Sequence, residues 1–317
     1  MTLPVDVRSL EAIFNDPNRR LLIITHKDPD FDAIGSSLAL YLQLKTLGRE
    51  VQIWCADKLD LMYHILPSWT AIRSEIPDHF DTVIALDCSH LNRVREIGKI
   101  NRKDITLINI DHHSDNDRFG DINFVEHISS VGEYLYFIFQ GLGWPLNPDV
   151  ASCLYAAIIF DTGRFLYSSV TPQTFEAAAR LLEAGAHAYD LSEHIFENLS
   201  PKAFEIIKIA LDRMVVNPSL GYAYTVIPVS APHVSFKVID FIRQLGTVPV
   251  FFVIQEYENG EIKVNLRSKN DFNVSEFAAL FGGGGHKNAS GITLRGNLKE
   301  IEEKIVRKLD ERLSAGL

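Results

Sequence analysis

Short apolar runs alternate with stretches of helical periodicity along the first half of the chain. Residues 21–25 (Leu-Leu-Ile-Ile-Thr), 82–86 (Thr-Val-Ile-Ala-Leu) and 105–110 (Ile-Thr-Leu-Ile-Asn-Ile) read as buried strands, and a further strand fits 50–54. Between them, residues 33–47 set Ile34, Leu38, Tyr41, Leu42 and Leu44 along one helical stripe. Helices also fit 131–142 and 149–160. Thr171-Pro172 supplies an N-cap followed by proline at the first helical position, and opens a helix over 172–184 that Gly185 closes. Strands alternating with helices predict an α/β fold with a parallel sheet and helices on both of its faces.

The pattern changes towards the C-terminus. Residues 187–214 read as mostly helical and connect two domains. Strands fit 222–228, 249–257 and 261–267, the last two joined by the turn Asn259-Gly260. A glycine-rich loop occupies 282–285, and an amphipathic helix runs from about 297 to 313. The expected organisation is an N-terminal domain over 1–188, a helical linker over 189–216 and a smaller α/β domain over 217–317.

A chain of 317 residues suits two domains, and 46% hydrophobic with 23% charged residues describes a folded protein. The net charge of −10 argues against long duplex nucleic acid, whose binders usually carry a basic face, but admits a small phosphorylated ligand. The three cysteines, Cys55, Cys88 and Cys153, form no C-x-x-C pair. That pattern suits a reduced, cytoplasmic setting better than a disulfide scaffold. The N-terminus lacks the basic and apolar regions of a leader, and no apolar run is long enough to cross a bilayer, so no membrane partner is expected. A homodimer is admitted, and nothing in the sequence demands one.

In open α/β sheets the ligand crevice lies beyond the carboxyl ends of the strands. Three strands here deliver acidic or imidazole groups at that end: His26, Asp30 and Asp32 after the first, Asp87 after another, and Asp111-His112-His113 after a third. Asp161 ends an apolar helix, where it opposes the helix dipole and calls for a cation. Taken singly, each has a plain reading as a capped turn or helix end. Taken together they pack carboxylates at a density that two divalent cations would neutralise, and paired cations suit phosphoryl chemistry. Carboxylates and imidazoles without thiolate favour Mn2+, Mg2+ or Co2+. The run Gly282 to Lys287 exposes backbone N–H groups that can cradle an anion, and Arg267-Ser268-Lys269 can meet the same anion.

These segments resemble the motifs of the DHH phosphoesterases: His26 to Ser36, Asp87, Asp111-His112-His113 and Asp161-Thr162-Gly163, with Gly282 to Gly291 similar to the DHH-associated substrate domain. Order and spacing match along nearly the whole chain, closest to the nanoRNase/pAp-phosphatase group. The resemblance implies a catalytic domain over 1–188 and a substrate-binding domain over 217–317. It implies one metal held by His26, Asp30 and Asp87, and a second by Asp32, Asp87, His112 and Asp161, with Asp87 bridging. The ions are usually Mn2+. It implies that Asp87 and His113 serve catalysis, His113 by contacting the scissile phosphate. Arg267, Ser268, Gly283, Gly284, Gly285 and His286 would receive a substrate phosphate. The implied substrates are short RNA oligomers and 3′-phosphoadenosine 5′-phosphate (pAp). Phe31 departs from the family, which usually has glycine there; the turn is expected to tolerate it with the ring covering one side of the site, and the ring has two readings, stacking on a base or, the plainer one for most aromatics here, packing in the core.

The expected chemistry is in-line attack on phosphorus by a water that the two cations activate. The nearest alternatives are linear or cyclic dinucleotides, such as pApA and c-di-AMP, and inorganic polyphosphate.

Overall fold

A computed structural model of the chain describes residues 7–227, 234–269 and 271–314. It divides into two compact units, Met1–Asn198 and Leu199–Leu317. Residue 228, expected to end a strand, lies outside the described residues.

The first unit is built on a six-stranded, wholly parallel sheet. Its strands are β1 (Arg20–Thr25), β2 (Glu50–Trp54), β3 (Ile72–Arg73), β4 (Thr82–Leu86), β5 (Thr106–Asp111) and β6 (Ile122–Val125), in the order β3-β2-β1-β4-β5-β6. Chain direction across the sheet therefore reverses between β1 and β4, the place where such sheets open a crevice. β1, β4 and β5 are buried along almost their whole length because both faces are covered.

On one face pack the helices α1 (Arg8–Asn15), α2 (Phe31–Thr46), α3 (Val131–Gly141), α4 (Pro148–Asp161), α5 (Pro172–Glu183) and α6 (Ala188–Glu197). Leu21, Ile23, Ile84, Leu86, Ile108 and Ile110 point to that side. Leu22, Ile24, Val83, Ala85 and Leu107 point to the other, where the sequence pattern predicts helices too and which is closed instead by short 3-10 turns around Val94 and Ile100. Alternation along each strand thus feeds two cores at once.

Two helix contacts are unusually close. A Cβ on Gly35 of α2 would stand 2.6 Å from the Cys153 carbonyl of α4, and one on Gly132 of α3 would stand 2.5 Å from the Cα-bound methyl of Ala157. Glycine here lets the three helices meet nearly backbone to backbone.

The second unit begins with α7 (Pro201–Asp212). Its sheet comprises β7 (Val215–Asn217), β8 (Tyr222–Ile227), β9 (Val250–Glu256), β10 (Glu261–Ser268), β11 (Gly284–His286) and β12 (Ala289–Arg295), in the order β11-β12-β10-β9-β8-β7. The β8–β9 pair is parallel and the others antiparallel. Helices α8 (Ser235–Ile242), α9 (Val274–Ala279) and α10 (Leu298–Ser314) complete it. The glycine run expected as a loop is half strand: Gly284 pairs with Gly291 and Gly285 with Ser290. No helix among the described residues is long and apolar enough to cross a membrane.

Candidate metal centre

Beyond the ends of β1, β4 and β5, two sets of side chains converge. His26 follows β1, and its Nε2 lies 3.3 Å from Oδ2 of Asp87, which follows β4. Asp30 caps α2, its Oδ1 accepting the N–H groups of Asp32 at 2.9 Å and Ala33 at 3.1 Å. Ligand atoms of His26, Asp30 and Asp87 all lie within 4.8 Å of one another. The same holds for Asp32, His112 and Asp161. Nε2 of His112 stands 3.4 Å from Oδ1 of Asp87, 3.5 Å from Oδ2 of Asp161 and 3.6 Å from Oδ2 of Asp32. The two oxygens of Asp87 therefore face different sets: Oδ2 faces His26 and Oδ1 faces His112.

Backbone contacts hold these groups. Asp87 adopts φ 56°, a left-handed conformation that Asp tolerates better than most residues, so the chain turns sharply as it leaves β4. Asp32 takes the N–H of Val131 on Oδ2 at 2.8 Å and that of Gly132 on Oδ1 at 2.9 Å, at the amino end of α3. The Ser36 hydroxyl donates to Oδ1 as well, at 3.0 Å. Nδ1 of His112 donates to the Ile128 carbonyl at 3.0 Å, which directs Nε2 towards the carboxylates.

Charge follows from burial. Asp30, Asp32 and Asp161 are desolvated and crowd other carboxylates, which raises their pKa values, that of Asp161 to about 6. Burial opposes ionisation of Asp87 too, yet the imidazoles of His112, His26 and His113 outweigh it and hold this carboxyl well below its usual range. Burial also disfavours the His112 cation, and Asp87, Asp161 and Asp32 overcome that and push it well above an ordinary histidine. His26 is raised as well: burial and Arg93 oppose its cation, and Asp87 and Asp30 prevail.

Oδ1 of Asp87 is buried with no hydrogen-bond partner among the described residues, although three histidine nitrogens lie near its carboxylate. Hard oxygen donors, imidazoles without thiolate and an orphaned carboxylate oxygen between two ligand sets fit a pair of hard or borderline divalent cations.

Asp111 supports its neighbour. Its Oδ1 accepts from Nδ1 of His113 at 2.8 Å and its Oδ2 from Nδ2 of Asn116 at 2.5 Å. Asn116 also donates to the Asn109 side chain and the Cys88 carbonyl. The His113 ring is held through Nδ1 by a buried chain of amides that sequence spacing does not reveal.

Phe31 packs in the core, the plainer of its two readings, and does not cover the site. It is the first residue of α2, fully buried, and lies between Tyr63 and Phe160, with ring centroids 4.9 Å and 5.6 Å away. It is absent from the residues with positive φ, so a side chain there brings no backbone strain. The ring belongs to the core beneath the metal loop and is not exposed for stacking on a base.

In the second unit, Arg267 is the last residue but one of β10, donates to the Leu266 carbonyl at 2.9 Å, and buries an Nε with no partner among the described residues. The Ser268 hydroxyl is engaged locally, donating to the Phe272 carbonyl and accepting from Asn288, both at 2.8 Å. A Cβ on Gly283 would meet the Gly291 carbonyl at 2.3 Å, and Gly285 has φ 133°, so both positions require glycine for the β11–β12 approach. His286 ends β11, and its carbonyl accepts from the Ser290 hydroxyl at 2.9 Å.

Residues 20–158 match the DHH family, N-terminal domain, and residues 220–315 match the DHHA1 domain. The chain is 30% identical over 304 residues to the bifunctional oligoribonuclease and PAP phosphatase NrnA of Thermus thermophilus, a span covering 93% of this chain and 90% of that protein. The chain belongs to the DHH family of phosphoesterases. Among solved structures, an exopolyphosphatase-related protein from Bacteroides fragilis superposes with TM-score 0.86 at 24% identity, covering 97% of each chain. RecJ of Thermus thermophilus in complex with Mn2+ matches with TM-score 0.59 at 15% identity, over 99% of this chain and 56% of RecJ. These two likenesses establish a DHH-type fold for this phosphoesterase.

Proposed function

We propose that this phosphoesterase hydrolyses phosphate esters of short oligoribonucleotides and of pAp at a pair of divalent cations, with Mn2+ the preferred ion. The observation that carries the reading is the placement of Asp87, a buried carboxylate with one oxygen towards each of two ligand sets. Identity to NrnA along nearly the full length supports the substrate class.

His26, Asp30 and Asp87 would hold one ion, and Asp32, Asp87, His112 and Asp161 the other. When bound, such a pair supplies Lewis acidity to a phosphate and lowers the pKa of a water. The chain's own part is to set geometry and protonation. Asp87 stays ionised, so it remains a donor across the physiological range. His112 is held with Nδ1 towards Ile128 and offers Nε2 to the ion. Asp111 and Asn116 fix the ring of His113, which is assigned to the scissile phosphate and its departing oxygen. On the second unit, Arg267 and His286, with the N–H groups of Gly283, Gly284 and Gly285, are assigned to a further substrate phosphate.

The test uses purified protein with Mn2+ and RNA from dimers to pentamers, beside pAp, pApA, c-di-AMP and polyphosphate. Release of mononucleotides from the short RNAs and of phosphate from pAp is expected, with little turnover of polyphosphate. Asp87→Ala should abolish turnover while leaving circular dichroism unchanged. Wild-type turnover by that variant would refute the two-cation site, and preferential turnover of polyphosphate or c-di-AMP would refute the substrate assignment.

A further inference from the structure

Glu133 is a fully buried carboxylate outside both ligand sets. It sits in the first turn of α3, where the Ser130 hydroxyl caps the helix and accepts the Glu133 N–H at 3.0 Å. One carboxylate oxygen, Oε2, collects three donors: the Ser129 hydroxyl, the Ser129 N–H at 3.3 Å and the Thr174 hydroxyl at 3.0 Å. The other, Oε1, is buried without a partner among the described residues. Burying a carboxylate this deeply is unfavourable unless the groups it organises repay it.

Those groups lead to every member of the Asp32, His112 and Asp161 set. Ser129 lies between Ile128, whose carbonyl fixes the His112 ring at 3.0 Å, and Ser130, the cap of α3. The next two residues, Val131 and Gly132, give both of their N–H groups to Asp32. Thr174 belongs to the capping box of α5, accepting the Thr171 N–H at 3.1 Å while donating to Glu133. That box ends the segment 162–171, which begins immediately after Asp161. Among the described residues, the hydrogen bonds of Glu133 do not reach the segments that present His26 and Asp30.

We infer that Glu133 is a positioning residue for the second cation, tying together the three segments that present Asp32, His112 and Asp161. The inference rests on the two-cation reading of the site. Outer-shell partners of this kind typically change metal affinity by about 10- to 100-fold when removed. The working part of Glu133 is an oxygen that accepts three hydrogen bonds. A glutamine can place its amide oxygen there, so the isosteric variant should largely restore the function that alanine removes.

The experiment is a Mn2+ titration of the ion-free full chain, by calorimetry and by electron paramagnetic resonance, with thermal melting in parallel. Wild type should take up two ions. Glu133→Ala should weaken one ion about 10- to 100-fold, and it should be the ion weakened by Asp161→Asn and not the one weakened by His26→Ala. Glu133→Gln should stay within a few-fold of wild type. If Glu133→Ala does not fold, Thr174→Val removes a single donor and should weaken the same ion in the same direction. Two ions bound by the folded variant at wild-type affinity, with only a lower melting temperature, would overturn the positioning role alone. A wild-type protein that binds no Mn2+ would overturn the two-cation reading and this inference with it.

Discussion

The Phe31 ring rests on that of Tyr63 at 4.9 Å between centroids, and the Tyr63 hydroxyl donates to the carbonyl of Pro29. An aromatic pair therefore underlies the loop that carries Asp30 and Asp32. Phe31→Ala should destabilise the first unit by about 3–5 kcal/mol, the range for emptying a buried aromatic site. Tyr63→Phe should cost about 1–3 kcal/mol by leaving the Pro29 carbonyl unmet. Denaturant titration of each variant reads both values.

Asp87 combines two demands, a ligand oxygen on each side and a left-handed backbone. Asp87→Asn meets the second demand without the first, because asparagine also tolerates that conformation. The variant should melt close to wild type yet lose turnover by about 10³-fold or more, since several kcal/mol of transition-state stabilisation goes with the cations. Steady-state kinetics beside melting curves separates the two effects.

Protons and cations compete for the same groups. Asp161 is raised to about 6 from 3.8, and His112 is raised well above 6.5. Each must lose its proton to serve as a ligand, so Mn2+ binding should release protons at neutral pH and weaken as pH falls through about 6. Calorimetry in buffers of different ionisation enthalpy measures that release. Stability follows with the opposite sign. A carboxyl raised on folding binds more protons folded than unfolded, so the Asp161 contribution to ion-free stability falls as pH rises from about 3.8 through about 6. Saturating Mn2+ should remove that loss.

Asp111→Asn should leave the sheet intact and weaken the hydrogen bond that orients the His113 ring through Nδ1. The expected result is a fall in kcat of about 10- to 100-fold, as for other partners that orient an active imidazole, with KM little changed. A rise in KM with kcat unchanged would instead place His113 in ground-state binding.

Much of the fold is legible because β1, β4 and β5 are buried on both faces, and an uninterrupted apolar run has few other destinations. β3 and β6 escape notice because they are edge strands, one of two residues and the other only partly buried. β11 escapes because Gly284 and Gly285 carry no side chain to show a period; pairing with β12 alone makes them a strand. The ligands are legible for a different reason. His26, Asp87 and His112 each follow a strand that must end at the same sheet edge. Glu133 is invisible to that logic, because Ser129 meets it only across the amino-terminal turn of α3 and Thr174 only through the packing of α3 on α5. Phe31 misleads because its position next to Asp30 and Asp32 suggests the site, while the helical phase of α2 turns the ring inward.

Asp32 stands in the first turn of α2 and Asp161 closes α4, and Gly35 lets those helices touch, leaving no room for a Cβ against the Cys153 carbonyl. The closest approach of the two helices that carry these carboxylates is thus set by contact between main chains. Such a calliper favours one ionic radius. Calcium, with ligand bonds of roughly 2.3–2.6 Å against roughly 2.0–2.1 Å for magnesium, would have to prise the helices apart. Gly35→Ala does that prising from within, at about 1–3 kcal/mol of stability. By opening the jaws it should shift the order of preference among cations towards the larger, which competition between Ca2+ and Mn2+ for the purified variant will measure.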